Sequence, residues 1–165
     1  MNILGLGIDA TDIPRIGAAF ERYGERFLRR VFTEGEIAYC TRRRNPVPHL
    51  AGRFAAKEAA MKALGTGHSR GVLWKDIEVF RTFGPPQLRL HGGAAARAER
   101  MQVKSTLLSI THSDALAMAQ VLLLGLLTSP AVDSSATAIV RRLFTRASQP
   151  SNSNSRNAIR EHSSP

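Results

Sequence analysis

Ser105-Thr106-Leu107-Leu108-Ser109-Ile110-Thr111-His112-Ser113-Asp114-Ala115-Leu116-Ala117-Met118-Ala119-Gln120-Val121-Leu122-Leu123-Leu124 reads as two β-strands, Ser105 to His112 and Ala115 to Leu124, joined at Ser113-Asp114. So short a connection joins only antiparallel strands. A second pair, Asp76 to Phe80 and Gln87 to His91, flanks the turn Phe83-Gly84-Pro85-Pro86. Ile3 to Ile8, broken by Gly5 and Gly7, reads as a buried strand that ends just before Asp9.

Helical patterns fill the remaining space. Asp12 can cap a helix with Pro14 in its first turn, running to about Phe32. Ile16, Phe20, Tyr23, Phe27 and Val31 form one stripe of that helix, and Arg15, Arg22, Arg26 and Arg29 another. Gly24 weakens its middle. Thr33 and Glu36 form a capping box for a short helix through Tyr39. His49 to Leu64 is an Ala-rich helix stopped at Gly65-Thr66-Gly67, and Gly92 to Arg100 is a shorter one. The order β-α-α-α-β-β-α-β-β, with strands paired through short turns, predicts an α+β fold: a mainly antiparallel sheet packed with helices.

The chain has 165 residues, and its composition changes near Gly125. Residues 1–125 are expected to form one domain. Residues 126–165 are an extension rich in Ser and Asn, expected to be mostly a disordered tail. Within it, Ile139, Val140, Leu143 and Phe144 recur at helical spacing opposite Arg141, Arg142 and Arg146. That segment, 136–147, reads as a marginal basic amphipathic helix.

The first residues lack a basic n-region, and the apolar run Ala115 to Leu127 is too short for a bilayer span of about 20 residues. One cysteine, Cys40, excludes an intrachain disulfide and a Cys-rich zinc site. A cytoplasmic protein without stable membrane insertion is expected. Its net charge is +10, and 19 of its 23 basic residues are Arg. Guanidinium forks suit phosphates and carboxylates, so an anionic partner is expected.

Three places set ionisable groups against apolar structure. Asp9 follows the first strand. Glu58 and Lys62, four apart, share one face of a helix whose Ala, Phe and Met content suggests burial all round; taken alone they read as an ion pair. His112 ends an apolar strand. Two carboxylates with a Lys and a His could hold Mg²⁺ and a phosphate. There is no phosphate-binding glycine signature to suggest a nucleoside triphosphatase.

Gly5-Leu6-Gly7-Ile8-Asp9, Ala51-Gly52-Arg53-Phe54-Ala55-Ala56-Lys57-Glu58-Ala59-Ala60-Met61-Lys62-Ala63 and Ser109-Ile110-Thr111-His112 together resemble bacterial holo-acyl-carrier-protein synthases. These are the small trimeric class of 4′-phosphopantetheinyl transferases. Trp74-Lys75-Asp76-Ile77-Glu78-Val79 and Gly84-Pro85-Pro86 are similar to further family stretches. The resemblance covers residues 1–125 and assigns nothing to 126–165.

The resemblance implies transfer of the 4′-phosphopantetheine arm of coenzyme A to a serine of apo acyl carrier protein, releasing adenosine 3′,5′-bisphosphate, as a step of fatty acid biosynthesis. It implies that Asp9 and Glu58 ligate Mg²⁺, that Lys62 stabilises leaving-group charge, and that His112 serves the coenzyme A phosphates as donor or proton carrier. Glu58, Asp9 or a metal-bound water could take the serine proton. By the same likeness Gly65, Gly67 and the loop to Arg70, with Gly84 and Pro86, border the nucleotide. Arg15, Arg22, Arg26 and Arg29 would dock the acidic carrier. A homotrimer with interfacial active sites is implied, with Asp9 and His112 of one subunit facing Glu58 and Lys62 of the next.

A different class, a basic nucleic-acid-binding module without catalysis, is suggested by the charge and by Arg42-Arg43-Arg44. Only 10 aromatics, those on helices lying in apolar stripes, leave few platforms for stacking bases. A silent membrane scaffold using 136–147 is a third reading.

Overall fold

In the computed structural model, β1 (Asn2–Asp12) meets α3 (Val47–Leu64) almost backbone to backbone. A Cβ on Gly5 would lie 2.2 Å from the Ala63 carbonyl oxygen, and one on Gly7 1.9 Å from that of Ala59. The structure describes residues 1–68 and 71–127, and Met1–Leu127 forms one compact unit. The expected disordered tail and the 136–147 helix lie outside the described residues.

The remaining elements are α1 (Ile13–Val31), α2 (Glu34–Thr41), a 3₁₀ turn (Trp74–Asp76), β2 (Ile77–Phe80), β3 (Gln87–Leu90), α4 (Gly92–Arg100), β4 (Ser105–His112) and β5 (Leu116–Gly125). The β4–β5 hairpin forms as expected, with Ser105 opposite Leu124 and His112 opposite Ala117. β1 pairs antiparallel with the other edge of β5, giving the order β1-β5-β4, and β2-β3 is a separate two-stranded sheet. This is the expected α+β class.

α3 is the centre of the molecule. From Leu50 to Leu64 most of its residues are buried, in contact with both hydrophobic clusters of the core. Its alanines let the sheet approach closely, and Gly65 ends it in the left-handed conformation (φ 67°). Glu58 and Lys62 are exceptions to that burial.

Two local expectations change. β1 is not a buried strand: it is longer than Ile3 to Ile8, contains Asp9 within its length, and buries one face only. The strand alternates, so Gly7 turns to α3 while Leu6 and Ile8 on the other face stay more than half exposed. The α1 stripe is also interrupted. Gly24 takes φ 47°, ψ −130° and kinks the helix. Leu28, beyond the kink and outside that stripe, is buried, and Tyr23, just before the kink, is exposed.

Glu36 does more than cap α2. One carboxylate oxygen accepts the Thr33 N–H at 2.8 Å and the other the Val79 N–H at 2.9 Å. Its partner is Lys57, fully buried, at 2.8 Å. The Lys57 ammonium also donates to the carbonyls of Trp74 (3.0 Å) and Ile77. Burial pulls the Lys57 pKa below its ordinary value, and Glu36 opposes that shift. The pair ties α2, α3 and β2 into one body.

Candidate active site

Asp9 lies on the glycine face of β1, two residues beyond Gly7, and so turns toward α3. The Lys62 ammonium donates to Asp9 Oδ1 at 2.8 Å and to the Ile8 carbonyl at 3.0 Å. Asp9 Oδ2 accepts from the Thr11 hydroxyl at 2.8 Å. Both carboxylate oxygens are thus engaged, and Asp9 is held largely out of solvent while Lys62 is half exposed.

Glu58 precedes Ala59, the residue pressed on Gly7. It does not pair with Lys62, as their spacing suggested. Its Oε1 lies 3.3 Å from His68 Nε2 instead. Lys62 turns to β1 because a fixed carboxylate and a carbonyl stand there together, better partners than one mobile neighbour on its own helix. Asp9, Glu58 and Lys62 therefore gather at the β1–α3 seam of a single chain, and Lys62 reaches Asp9 without a second subunit. The expected split that placed Asp9 and Lys62 on different subunits is corrected on this point.

His112 stands elsewhere. At the exposed end of β4 its ring meets that of His49 edge-on, with centroids 6.2 Å apart. From His49 to Glu58 the helix advances roughly 13 Å at about 1.5 Å per residue. Around His112 a cationic group assembles. Tyr39 stacks edge-on to His49, with the guanidinium groups of Arg43 and Arg53 at 4.4 and 4.0 Å from its ring centroid. Burial, then Arg43, Arg53 and His112, push the His49 pKa down. Arg53 is buried, and its Nε has no hydrogen-bond partner among the described residues.

Gly65, Gly67 and Gly84 all have positive φ, from 55° to 80°, as tight turns require. Gly65 and Gly67 follow directly on the helix of Glu58 and Lys62. Gly84 and Pro86 lie in the β2–β3 turn; Gly84 is exposed and Pro86 half-buried. Among the described residues Asp9 is met by Thr11 and Lys62, not by that turn. Ser69 and Arg70 of the expected nucleotide border lie outside the described residues. Arg15, Arg22, Arg26 and Arg29 are all exposed on α1, but the Gly24 kink separates the first two from the last two. Arg29 is already engaged by Glu25 at 2.9 Å and Glu34 at 3.9 Å.

Sequence reasoning placed His68 only within the expected nucleotide border and Arg53 only within the family motif, and it gave neither them nor His49 a partner. No spacing rule joins them to Glu58 or His112; only folding of the loop after Gly67, and of α3 across the sheet, brings them there. The described residues contain no cluster of three or more His, Cys, Asp or Glu groups able to hold a metal by themselves. Asp9 and Glu58 supply two hard carboxylates, the donor type that Mg²⁺ takes when waters and substrate phosphates complete its shell.

A sequence model of the 4′-phosphopantetheinyl transferase superfamily matches residues 5–121. The holo-[acyl-carrier-protein] synthase of Solibacter usitatus is 53% identical over 123 residues, 73% of this chain and 98% of the relative. The crystal structure of the Neisseria meningitidis holo-[acyl-carrier-protein] synthase aligns with a TM-score of 0.69 at 29% identity, over 74% of this chain and 99% of that one. The Bacillus anthracis synthase in complex with coenzyme A (3′,5′-ADP) aligns at 0.62 and 35% identity, over 75% and 98%. The chain belongs to the 4′-phosphopantetheinyl transferase superfamily and, within it, to the holo-[acyl-carrier-protein] synthases.

Proposed function

We propose that this chain is a Mg²⁺-dependent holo-acyl-carrier-protein synthase, moving 4′-phosphopantetheine from coenzyme A to a serine of an acidic apo acyl carrier protein in fatty acid biosynthesis. Adenosine 3′,5′-bisphosphate is the leaving product. The observation that carries this reading is the seat of Asp9, Lys62 and Glu58 on one seam, built by glycines that admit no side chain.

Asp9 and Glu58 would hold the Mg²⁺. When bound, the ion neutralises charge on the pyrophosphate and makes the nucleotide a better leaving group. Lys62, fixed on Asp9 and still half exposed, adds a cation toward the same charge. Both Asp9 oxygens already accept hydrogen bonds, so Glu58 is the better placed acceptor for the serine proton. The group of Arg43, Arg53, His49 and His112 is cationic in character and suits the phosphates of coenzyme A.

A homotrimer reconciles the two half-sites. One chain leaves His112 remote from Glu58, and the outer sheet face exposes Leu6, Ile8, Leu107, Leu116 and Met118. An apolar sheet face of this kind calls for a second copy. Gly84 and Pro86 would border the nucleotide from the neighbouring subunit. Arg15 and Arg22 before the Gly24 kink, and Arg26 beyond it, are exposed cations that would meet the acidic carrier. Phe54 and Trp74 pack on each other within the fold rather than serving as platforms for bases, which favours a protein partner over nucleic acid.

Among the described residues no helix is long and apolar enough to cross a membrane. Burial raises the Cys40 thiol to about 11, an inert thiol that suits a reducing cytoplasm. The deciding experiment incubates the full chain with coenzyme A, Mg²⁺ and an apo carrier protein and weighs the carrier. A gain equal to one phosphopantetheine is expected; an unchanged carrier alongside tight coenzyme A binding would overturn the reading.

A further inference from the structure

His68 belongs to the loop that follows α3, and two positive-φ glycines, Gly65 and Gly67, turn that loop back. The Thr66 N–H donates to the Met61 carbonyl at 3.1 Å, pinning the loop to the last turn of the helix. The His68 ring then packs on Trp74, with centroids 3.9 Å apart. Trp74 is itself held twice: its ring by Phe54 at 4.7 Å, its carbonyl by the buried Lys57 ammonium at 3.0 Å. Lys57 and Glu58 are consecutive. One fixes the backbone of Trp74 from inside; the other meets, outside, the imidazole that Trp74 supports.

We propose that His68 is a positioning residue for the transfer, donating its Nε2–H to Glu58 Oε1 and leaving Oε2 free for the divalent cation. The proposal rests on the reading of Glu58 given above. Asp9 needs no such help, because Lys62 and Thr11 engage both of its oxygens. Glu58 lacks that support from its own helix, and a long carboxylate at a partly exposed site has rotamer freedom to lose before it can bind a metal. An imidazole braced on an indole removes that freedom from outside the metal's shell, as second-layer partners of metal ligands do. His68 and Trp74 also line a cavity of about 540 Å³ with Arg30 and Lys75, so the brace borders a cationic recess.

The test uses the full-length protein with Mn²⁺ as the probe, bound ion being read by electron paramagnetic resonance, and transfer kinetics in parallel. His68→Phe keeps a ring on Trp74 and removes the donor; His68→Gln keeps a donor. His68→Phe is expected to weaken Mn²⁺ binding and lower kcat by about 10- to 100-fold, with the carrier KM within about twofold. His68→Gln should recover most of both. Wild-type Mn²⁺ affinity and kcat in His68→Phe would overturn the proposal. Equal losses in the two variants would also overturn it, because the loop's packing rather than the hydrogen bond would then be what matters. Glu58→Ala runs alongside: if it binds Mn²⁺ as tightly as wild type, the metal reading of Glu58 falls, and His68's role with it.

Discussion

Lys62 lies 53 residues from Asp9 in sequence, and its ammonium stands 2.8 Å from the Asp9 carboxylate in the same chain. That contact joins the central helix to the first strand at the point where Gly7 lets them touch. It places a cation, a fixed carboxylate and the neighbouring Glu58 at one seam.

Removing either carboxylate should abolish chemistry without unfolding the protein. Asp9→Ala leaves Lys62 half exposed, so no buried charge is stranded. Transfer should fall on the order of 10²-fold or more, the scale of losing one electrostatic element of a preorganised site. Thermal melts should stay within a few degrees of wild type. Near-normal turnover in Asp9→Ala or Glu58→Ala at ordinary Mg²⁺ would count against the metal assignment.

Mixing experiments should separate the half-sites. Asp9→Ala mixed with Glu58→Ala should stay inactive, since those residues share a seam within one chain. His112→Ala mixed with Glu58→Ala should regain activity, because in random trimers roughly a quarter of the interfaces would join an intact half from each parent. Rescue of the first mixture but not the second, after subunit exchange is confirmed by mass, would reverse the assignment of halves.

Gly7→Ala should damage fold and activity together. The added carbon would sit 1.9 Å from the Ala59 carbonyl oxygen, a backbone atom that cannot swing aside. Overpacking costs about 1–3 kcal/mol where side chains can yield; the loss here should be at the top of that range or beyond. Gly67→Ala is the contrast. Among the described residues nothing lies within 4 Å of its added carbon, and its cost comes from φ 55°, about 1 kcal/mol. Chemical denaturation of the two variants checks the difference.

The Glu36–Lys57 pair gives a third stability test. Lys57→Met strands a fully buried carboxylate and Glu36→Gln a fully buried ammonium. Each should cost about 3–5 kcal/mol, and the double variant less than the sum, because removing both charges removes the uncompensated one. Additive losses in a double-mutant cycle would show that the two groups do not act as a pair.

On α1, reversing the charge of Arg22 and Arg26 should raise the KM for the carrier and flatten its salt dependence, leaving the KM for coenzyme A unchanged. Arg29→Glu alone should matter less for docking, because Glu25 and Glu34 already engage that guanidinium. Ending the chain after Leu127 should preserve turnover. Unchanged carrier kinetics at low salt for the Arg22 and Arg26 variant would move the docking face to Arg42, Arg43 and Arg44.

Local chemistry alone determined much of this molecule. The Ser113-Asp114 turn specified an antiparallel hairpin, Thr33 and Glu36 a capping box, and Gly65 the end of the central helix; each depends on a few neighbouring residues, so each is written in the chain. The candidates Asp9, Glu58, Lys62 and His112 were legible too, as polar groups set in apolar stretches. What the residues could not state is who meets whom. Glu58 and Lys62 share a face yet take different partners, because β1 offers Lys62 a carboxylate and a carbonyl, and a loop returned by two glycines offers Glu58 an imidazole. Glu36 looked like a cap and is also the counter-ion of a lysine buried across the core. Those side-chain pairings lie 10 to 53 residues apart, and only the packing of α3 between the sheet and its neighbouring helices and loops decides them.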